Sequence, residues 1–269
     1  MPTLVEFERT VATIVPSDPG DAQQVQRVRE ATRIALADSD FVMDCIDRAL
    51  SGFEQDPGRR PQPPLFVAAE HRFAAHLVYW PAEHRNNPHL HATWGVTGVF
   101  HNQVVVETFT NAGGQDEPQL EPATRFEAQR GEVGYLLPSC IHCVGNESDR
   151  PSATLHLFGA DDLNRPAECT TVWFGGRSEE GMSAGLLPRA METFTEILME
   201  TGGPTAEALL ERVFALSPKK LKLRIVQGLA RHNLALSHRL SVALEQELDG
   251  ADRARLAAIN KKLATELAC

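Results

Sequence analysis

Tyrosine is nearly missing from this sequence, with two in 269 residues and an aromatic content of 6%. Any phenol at a reactive centre would have to come from Tyr79 or Tyr135. The five cysteines (Cys45, Cys140, Cys143, Cys169 and Cys269) are odd in number and scattered, which fits reduced thiols better than a disulfide framework. No run approaches the roughly 18 consecutive apolar residues of a membrane helix, so no membrane partner is expected. Basic residues are outnumbered, 26 Lys and Arg against 36 Asp and Glu, for a formal net charge of -10. A nucleic-acid surface needs a dense basic face, and none is expected here. The one basic cluster, "SPKKLKLR" at 217–224, lies on a helical pattern and reads as a solvated helix face. The start, "MPTLVEFERTVATIV", carries acidic residues and no basic stretch before its apolar positions, unlike a secretory signal. The cytoplasm is the expected compartment.

What is present falls into three textures. Apolar residues at helical spacing over 3–14 and 20–51 predict two or three helices. "DPGRRPQPP" at 56–64 then breaks the pattern with four prolines and a glycine, which cannot continue a helix. From 65 to about 175 come short runs rich in β-branched and aromatic residues, such as "FAAHLVYW", "QVVVETFT", "SATLHLFG" and "CTTVWFG". Such runs, separated by turn residues, predict an antiparallel sandwich or barrel. From about 182 the helical period returns, with Leu209, Leu210, Val213, Leu216 and later Leu234, Leu236, Leu240, Val242 and Leu244 on plausible faces. The expected organisation is therefore N-terminal helices packed on a barrel (1–64), the barrel itself (65–178) and a C-terminal helical extension (179–269).

Two histidines stand one residue apart in "HLHATWGVTG", His89 and His91. On a strand, alternate residues share a face, so both imidazoles project to one side. They are half of a metal site, or two surface histidines if that side is solvent. The stretch "GEVGYLLPSCIHCVGNESDRPSATLHLFG" at 131–159 holds Gly131, Pro138, His142 and Asn146: a strand, a tight turn, and a histidine on the next strand. Cys140 and Cys143 around His142 form a CxxC without the βαβ context of a redox motif. If His142 points inward, Cys140 shares its face and Cys143 points away.

Together the two stretches resemble the two motifs of the cupin superfamily, in which three histidines hold one metal inside a double-stranded β-helix barrel. Most cupins add a glutamate in the first motif; Gly95 and Val96 stand at those places here. A three-histidine set is similar to the cysteine dioxygenase-like thiol dioxygenases, and "HATWGVTGV" in particular to the bacterial 3-mercaptopropionate dioxygenase branch. The resemblance runs over roughly 38–165 and leaves out the last hundred residues. It implies a mainly β fold with helical flanks, and Fe(II) held by His89, His91 and His142. It also implies Thr154 and His156 beside them, in place of the family's Ser-His-Tyr relay, with Phe158 at the tyrosine position. The family's carboxylate-anchoring arginine falls near Pro63, which leaves Arg59, Arg60, Arg72 and Arg165 as substitutes. Trp94, Phe158, Tyr79, Arg72, Arg165 and Cys140 are the candidate pocket residues.

The function so implied is Fe(II)-dependent oxidation of a small-molecule thiol by O2 to a sulfinate. The alternatives are a metal-dependent cupin acting on a non-thiol substrate as oxygenase, isomerase or lyase, and a cupin that binds metal or ligand without catalysis. The expected partners are the small molecule and O2. The helical extension is compatible with a homodimer, with covering the barrel mouth or with binding a partner, and its pattern selects none of these.

Overall fold

The computed structural model describes residues 3–56, 64–113, 118–159, 171–175 and 185–267. Arg59, Arg60, Pro63, Arg165, Cys169 and Cys269 lie outside the described residues. Capping side chains start the three N-terminal helices. Thr3 and Glu6 form a reciprocal capping box at α1 (Leu4–Ala12), Asp21 caps α2 (Ala22–Leu36), and Asp38 caps α3 (Ser39–Gln55). Each satisfies amide N–H groups that the first helical turn leaves without partners.

Eleven strands follow among the described residues: β1 (Phe66–Ala68), β2 (Phe73–Trp80), β3 (His84–Arg85), β4 (His89–Leu90), β5 (Gly95–His101), β6 (Gln103–Asn111), β7 (Leu120–Gln129), β8 (Val133–Leu136), β9 (Ile141–Asn146), β10 (Ser152–Gly159) and β11 (Val172–Trp173). Every pairing is antiparallel. They form one sheet in the order β1-β2-β10-β5-β8 and a second in the order β11-β4-β9-β6-β7, with β3 also paired to β9. Antiparallel sheets with flanking helices are the expected class, although the helices hold more residues than the strands.

The alternation along β2 explains its nearly unbroken apolar sequence. Phe73 and Tyr79 turn outward, where Phe73, Phe66, Phe7 and Phe41 form a chain of edge-on ring contacts and Phe53 of α3 packs beside Tyr79. Val78 and Trp80 turn inward, where Trp80 joins Val99, Val104 and Val144 in a buried cluster drawn from both sheets. Both faces of the strand are therefore covered.

The chain divides into two compact units, Met1–Arg189 and Ala190–Cys269. The second contains most of α4 (Leu186–Thr201), then α5 (Gly203–Leu216), α6 (Lys219–Leu229), α7 (Leu234–Glu247) and α8 (Gly250–Leu267). In the basic cluster on α6, Lys219, Lys220 and Arg224 are exposed as expected, and Lys222 alone departs from the solvated face. Lys222 is buried, with Nζ 2.6 and 2.7 Å from the two carboxylate oxygens of Glu247 and 5.1 Å from the Phe214 ring centre. Burial of an ammonium requires such a partner. No helix among the described residues is long and apolar enough to cross a membrane.

Gly98 sets how closely α2 approaches β5. A Cβ there would lie 2.3 Å from Leu36 Cδ1 and 3.2 Å from Val133 Cγ2. Gly98→Val should destabilise the fold by about 1–3 kcal/mol through overpacking. A urea denaturation midpoint equal to that of the unsubstituted protein would show that α2 yields freely.

Candidate metal centre and cavity

His89 and His142 are direct register partners across the β4–β9 pair. Their rings lie 4.3 Å apart, and His91 completes the triangle at 4.9 Å from His89 and 5.2 Å from His142. One ligand atom from each falls within 4.8 Å of the others. An ion with bonds of about 2.1 Å spans nitrogens up to about 4.2 Å apart, so the donors are at or near binding distance.

The second nitrogens support the same reading. His89 Nδ1 lies 3.0 Å from the Asn87 carbonyl and His142 Nδ1 3.0 Å from the Cys140 carbonyl. A carbonyl only accepts, so in both rings Nδ1 carries the proton and Nε2 the lone pair. His91 Nδ1 lies 3.2 Å from Thr171 Oγ1. Metal-ligating histidines typically donate their other N–H in this way, which fixes tautomer and ring orientation. Burial, and then the neighbouring His89, hold the His142 imidazole well below its usual pKa. It is therefore neutral, as a ligand must be.

The three rings border a cavity of about 1590 Å³. Val78, Val99, Val106, Leu136, Phe158 and Trp173 are among its apolar walls, and His76, Thr97, Cys140 and His156 among its polar ones. His156 sits between two hydroxyls, with Nε2 2.7 Å from Thr154 Oγ1 and Nδ1 3.1 Å from Thr97 Oγ1. Thr154 in turn accepts the Trp80 indole N–H at 2.8 Å. Because Trp80 can only donate, Thr154 has its own proton and a second lone pair left for His156. Burial lowers the His156 pKa to about 3 and that of His76 to about 4.

Other sequence candidates separate clearly. Phe158 lines the cavity, stacked on His156 at 5.4 Å and set against His91 at 4.9 Å. Cys140 also lines it, while Cys143 faces outward, where its sulfur lies 3.0 Å from Arg85 Nε. Trp94 is buried outside the cavity lining, near Gly159. Arg72 is exposed at a left-handed turn with φ 56° and does not line the cavity. Tyr79 extends toward α3, and the Tyr135 hydroxyl accepts a hydrogen bond from Gln26 of α2 at 3.0 Å. Both residues are also among those that line the cavity.

Sequence reasoning missed four groups. His76 is the register partner of His156 and shares the cavity. Thr97, Thr171 and Trp173 complete the surroundings, Trp173 stacking on His89 with centroids 4.4 Å apart and planes at 25°. For His76 and Thr97 the alternation of their strands carried a usable signal. For Thr171 and Trp173, some 80 residues from their partners, no local signal exists.

A scan against protein-family models finds no match to this chain, and a search of curated proteins finds none. Among solved structures it is similar to oxalate decarboxylase of Bacillus subtilis, which has Mn(II) centres (21% identity, 38% of this chain, 24% of that chain, TM-score 0.29). It is also similar to a DMSP lyase of Ruegeria pomeroyi (18%, 39%, 46%, TM-score 0.29) and a hydroquinone 1,2-dioxygenase of Sphingomonas sp. TTNP3 (13%, 36%, 63%, TM-score 0.30). The matched part spans less than half of the first two chains. At these scores the likeness carries no weight, and the architecture rests on the strand pairing itself.

Two predictions follow from the buried polar groups. Thr154→Val leaves the Trp80 N–H and a His156 nitrogen without partners and should cost about 1–3 kcal/mol, whereas Thr154→Ser should recover most of it. Equal unfolding midpoints for the two variants would contradict the hydrogen-bonded chain. In metal-free protein, His76 and His156 lie near 4 and 3 rather than 6.5. Below pH 6.5 the unfolded chain then binds protons that the folded chain does not. Stability should be full above that pH and fall as acid is added, by up to about 1.4 kcal/mol per pH unit for each group. Urea titrations at pH 7.5, 6 and 5 should lose this slope in His76→Phe only in part, since His156 still contributes.

Proposed function

We propose that this chain is a cupin-type, mononuclear non-heme Fe(II) dioxygenase that oxidises a small-molecule thiol to a sulfinate. The observation that carries the reading is the convergence of His89, His91 and His142 on one cavity, each with Nδ1 engaged. Three neutral imidazoles suit iron, copper, nickel or zinc; the choice of iron follows the resemblance to the thiol dioxygenases. Ferrous iron, when bound, supplies the redox chemistry by which dioxygen reacts with a thiol. In net terms RSH and O2 give RSO2H. Both oxygen atoms end on sulfur, sulfur gives up four electrons, and the thiol proton ends on the sulfinic acid, which ionises at neutral pH.

The chain's own residues provide the setting. Phe158 and Trp173 flank the ligand imidazoles and keep water from them. Thr154 and Thr97 hold the ring of His156 at both nitrogens, so that it presents a fixed, neutral face beneath Phe158. His76 adds a neutral hydrogen-bonding group to an otherwise apolar stretch of wall, suited to a polar atom of the substrate. The reducing cytoplasm, where Cys45, Cys140 and Cys143 remain thiols, and a homodimer through the C-terminal helices belong to the same proposal.

A second reading keeps the metal and changes the substrate. It is favoured by Phe158 at the phenol position of the resembling family, and by the two tyrosines being engaged elsewhere, Tyr79 with the Phe53 ring and the Tyr135 hydroxyl with Gln26. The site then acts on a non-thiol compound by oxygenation, isomerisation or lyase chemistry.

Oxygen uptake by Fe(II)-reconstituted protein against a panel of small thiols separates the two. Uptake that depends on the thiol and falls at least a hundredfold, on the order of the loss expected for a centre without one ligand, in His142→Ala supports the first. No uptake by protein that holds one iron per chain removes it, and turnover under strict anaerobiosis establishes the redox-neutral form of the second.

A further inference from the structure

Residues 171–175 run antiparallel to the segment that bears His89 and His91 and meet it at every step. Thr171 Oγ1 lies 3.2 Å from His91 Nδ1. Val172 and Trp173 are the register partners of Leu90 and His89. The Phe174 N–H donates to the Pro88 carbonyl at 2.9 Å, and the Gly175 carbonyl accepts from the Asn87 side-chain amide at 3.3 Å. On its other side, β4 pairs with β9 through the single register pair His89 and His142.

We infer that residues 171–175 are the positioning strap of the metal centre, orienting His89 and His91 so that metal binding and docking of the strap stabilise each other. The inference rests on the reading of the three histidines as metal ligands. Its physical basis is the limited support that a two-residue strand gives to its side chains. An imidazole tied only through its Cβ can rotate about χ2, and rotation carries Nε2 out of the coordination geometry. The Thr171 hydroxyl blocks that rotation at His91 by hydrogen bonding. At His89, where Nδ1 is already held by the Asn87 carbonyl, the Trp173 indole adds to that restraint by covering one ring face. Both residues touch ligands and neither is itself a ligand, so they are positioning residues rather than catalytic ones. By linkage, the factor by which the strap raises metal affinity is the factor by which metal raises the docked population of the strap.

The strap's side chains divide by alternation. Thr171 and Trp173 face the histidines, whereas Val172 turns away and is 49% exposed. Val172→Thr is therefore an internal control on the same five residues. The test is anaerobic titration with Co(II) followed by absorption, on the full chain and on Thr171→Val, Trp173→Leu and Val172→Thr. Thr171→Val and Trp173→Leu should each weaken Co(II) binding roughly ten- to a hundredfold, while Val172→Thr should leave it unchanged. Hydrogen exchange on the unsubstituted chain needs no variant to fold: the Phe174 amide should exchange more slowly once Co(II) is added. Equal Co(II) affinity in all four proteins, with Phe174 exchange indifferent to the metal, overturns the strap and leaves the ligand assignment standing. A full chain that takes up no Co(II) overturns both.

Discussion

The register of β9 is the constraint on which the centre depends. Side chains alternate along a strand, so a slip of one residue moves an entire set to the opposite face. Such a slip would bring Cys143 to the cavity and turn His142 toward Arg85. Two features hold the register. On the inner face, Val144 fits among Trp80, Val99 and Val104, and burying side chains of this size contributes about 1.5–3 kcal/mol each. On the outer face, Arg85 reaches Glu107 and the Cys143 sulfur, and Arg125 bridges Glu107 and Glu147. These ion pairs are exposed on at least one side, so each adds little energy, but they distinguish the outer face from the inner. The apolar cluster thus fixes which face His142 takes, two residues away along β9.

The helices and the change of texture near 65 were legible because their signals are local: caps, period and breakers lie within a few residues of what they determine. The alternation of Cys140, His142 and Cys143 was legible for the same reason. Lys222 was not, since its partners Glu247 and Phe214 come from other helices and a run of basic residues looks alike whether or not one member is buried. His76 was not, since the residue facing it, His156, is 80 positions away. Trp173 was read only as part of a strand. Pairing of β11 with β4 closes a long loop, and nothing in "TTVWFG" names its partner.

The empty position at Gly95 and the phenylalanine at 158 are one packing arrangement rather than two separate losses. Gly95 and Phe158 are register partners on β5 and β10. A Cβ at 95 would lie 2.8 Å from Phe158 Cε1 and 3.0 Å from Cδ1. Val96, the other position where a cupin glutamate is expected, pairs with Leu157, on the face opposite to His156 and Phe158. Of the two positions only 95 lies on the face of His156 and Phe158, and there the ring of Phe158 already stands. That ring also leans on His91 and His156, so moving it would disturb a ligand and the hydrogen-bonded chain behind it together. A side chain at 95 therefore requires the Phe158 ring to move, and with it the contact that ring makes with His91. Aromatic packing, and not merely the lack of an acidic residue, thus keeps a side chain out of position 95 beside the candidate ligand His91.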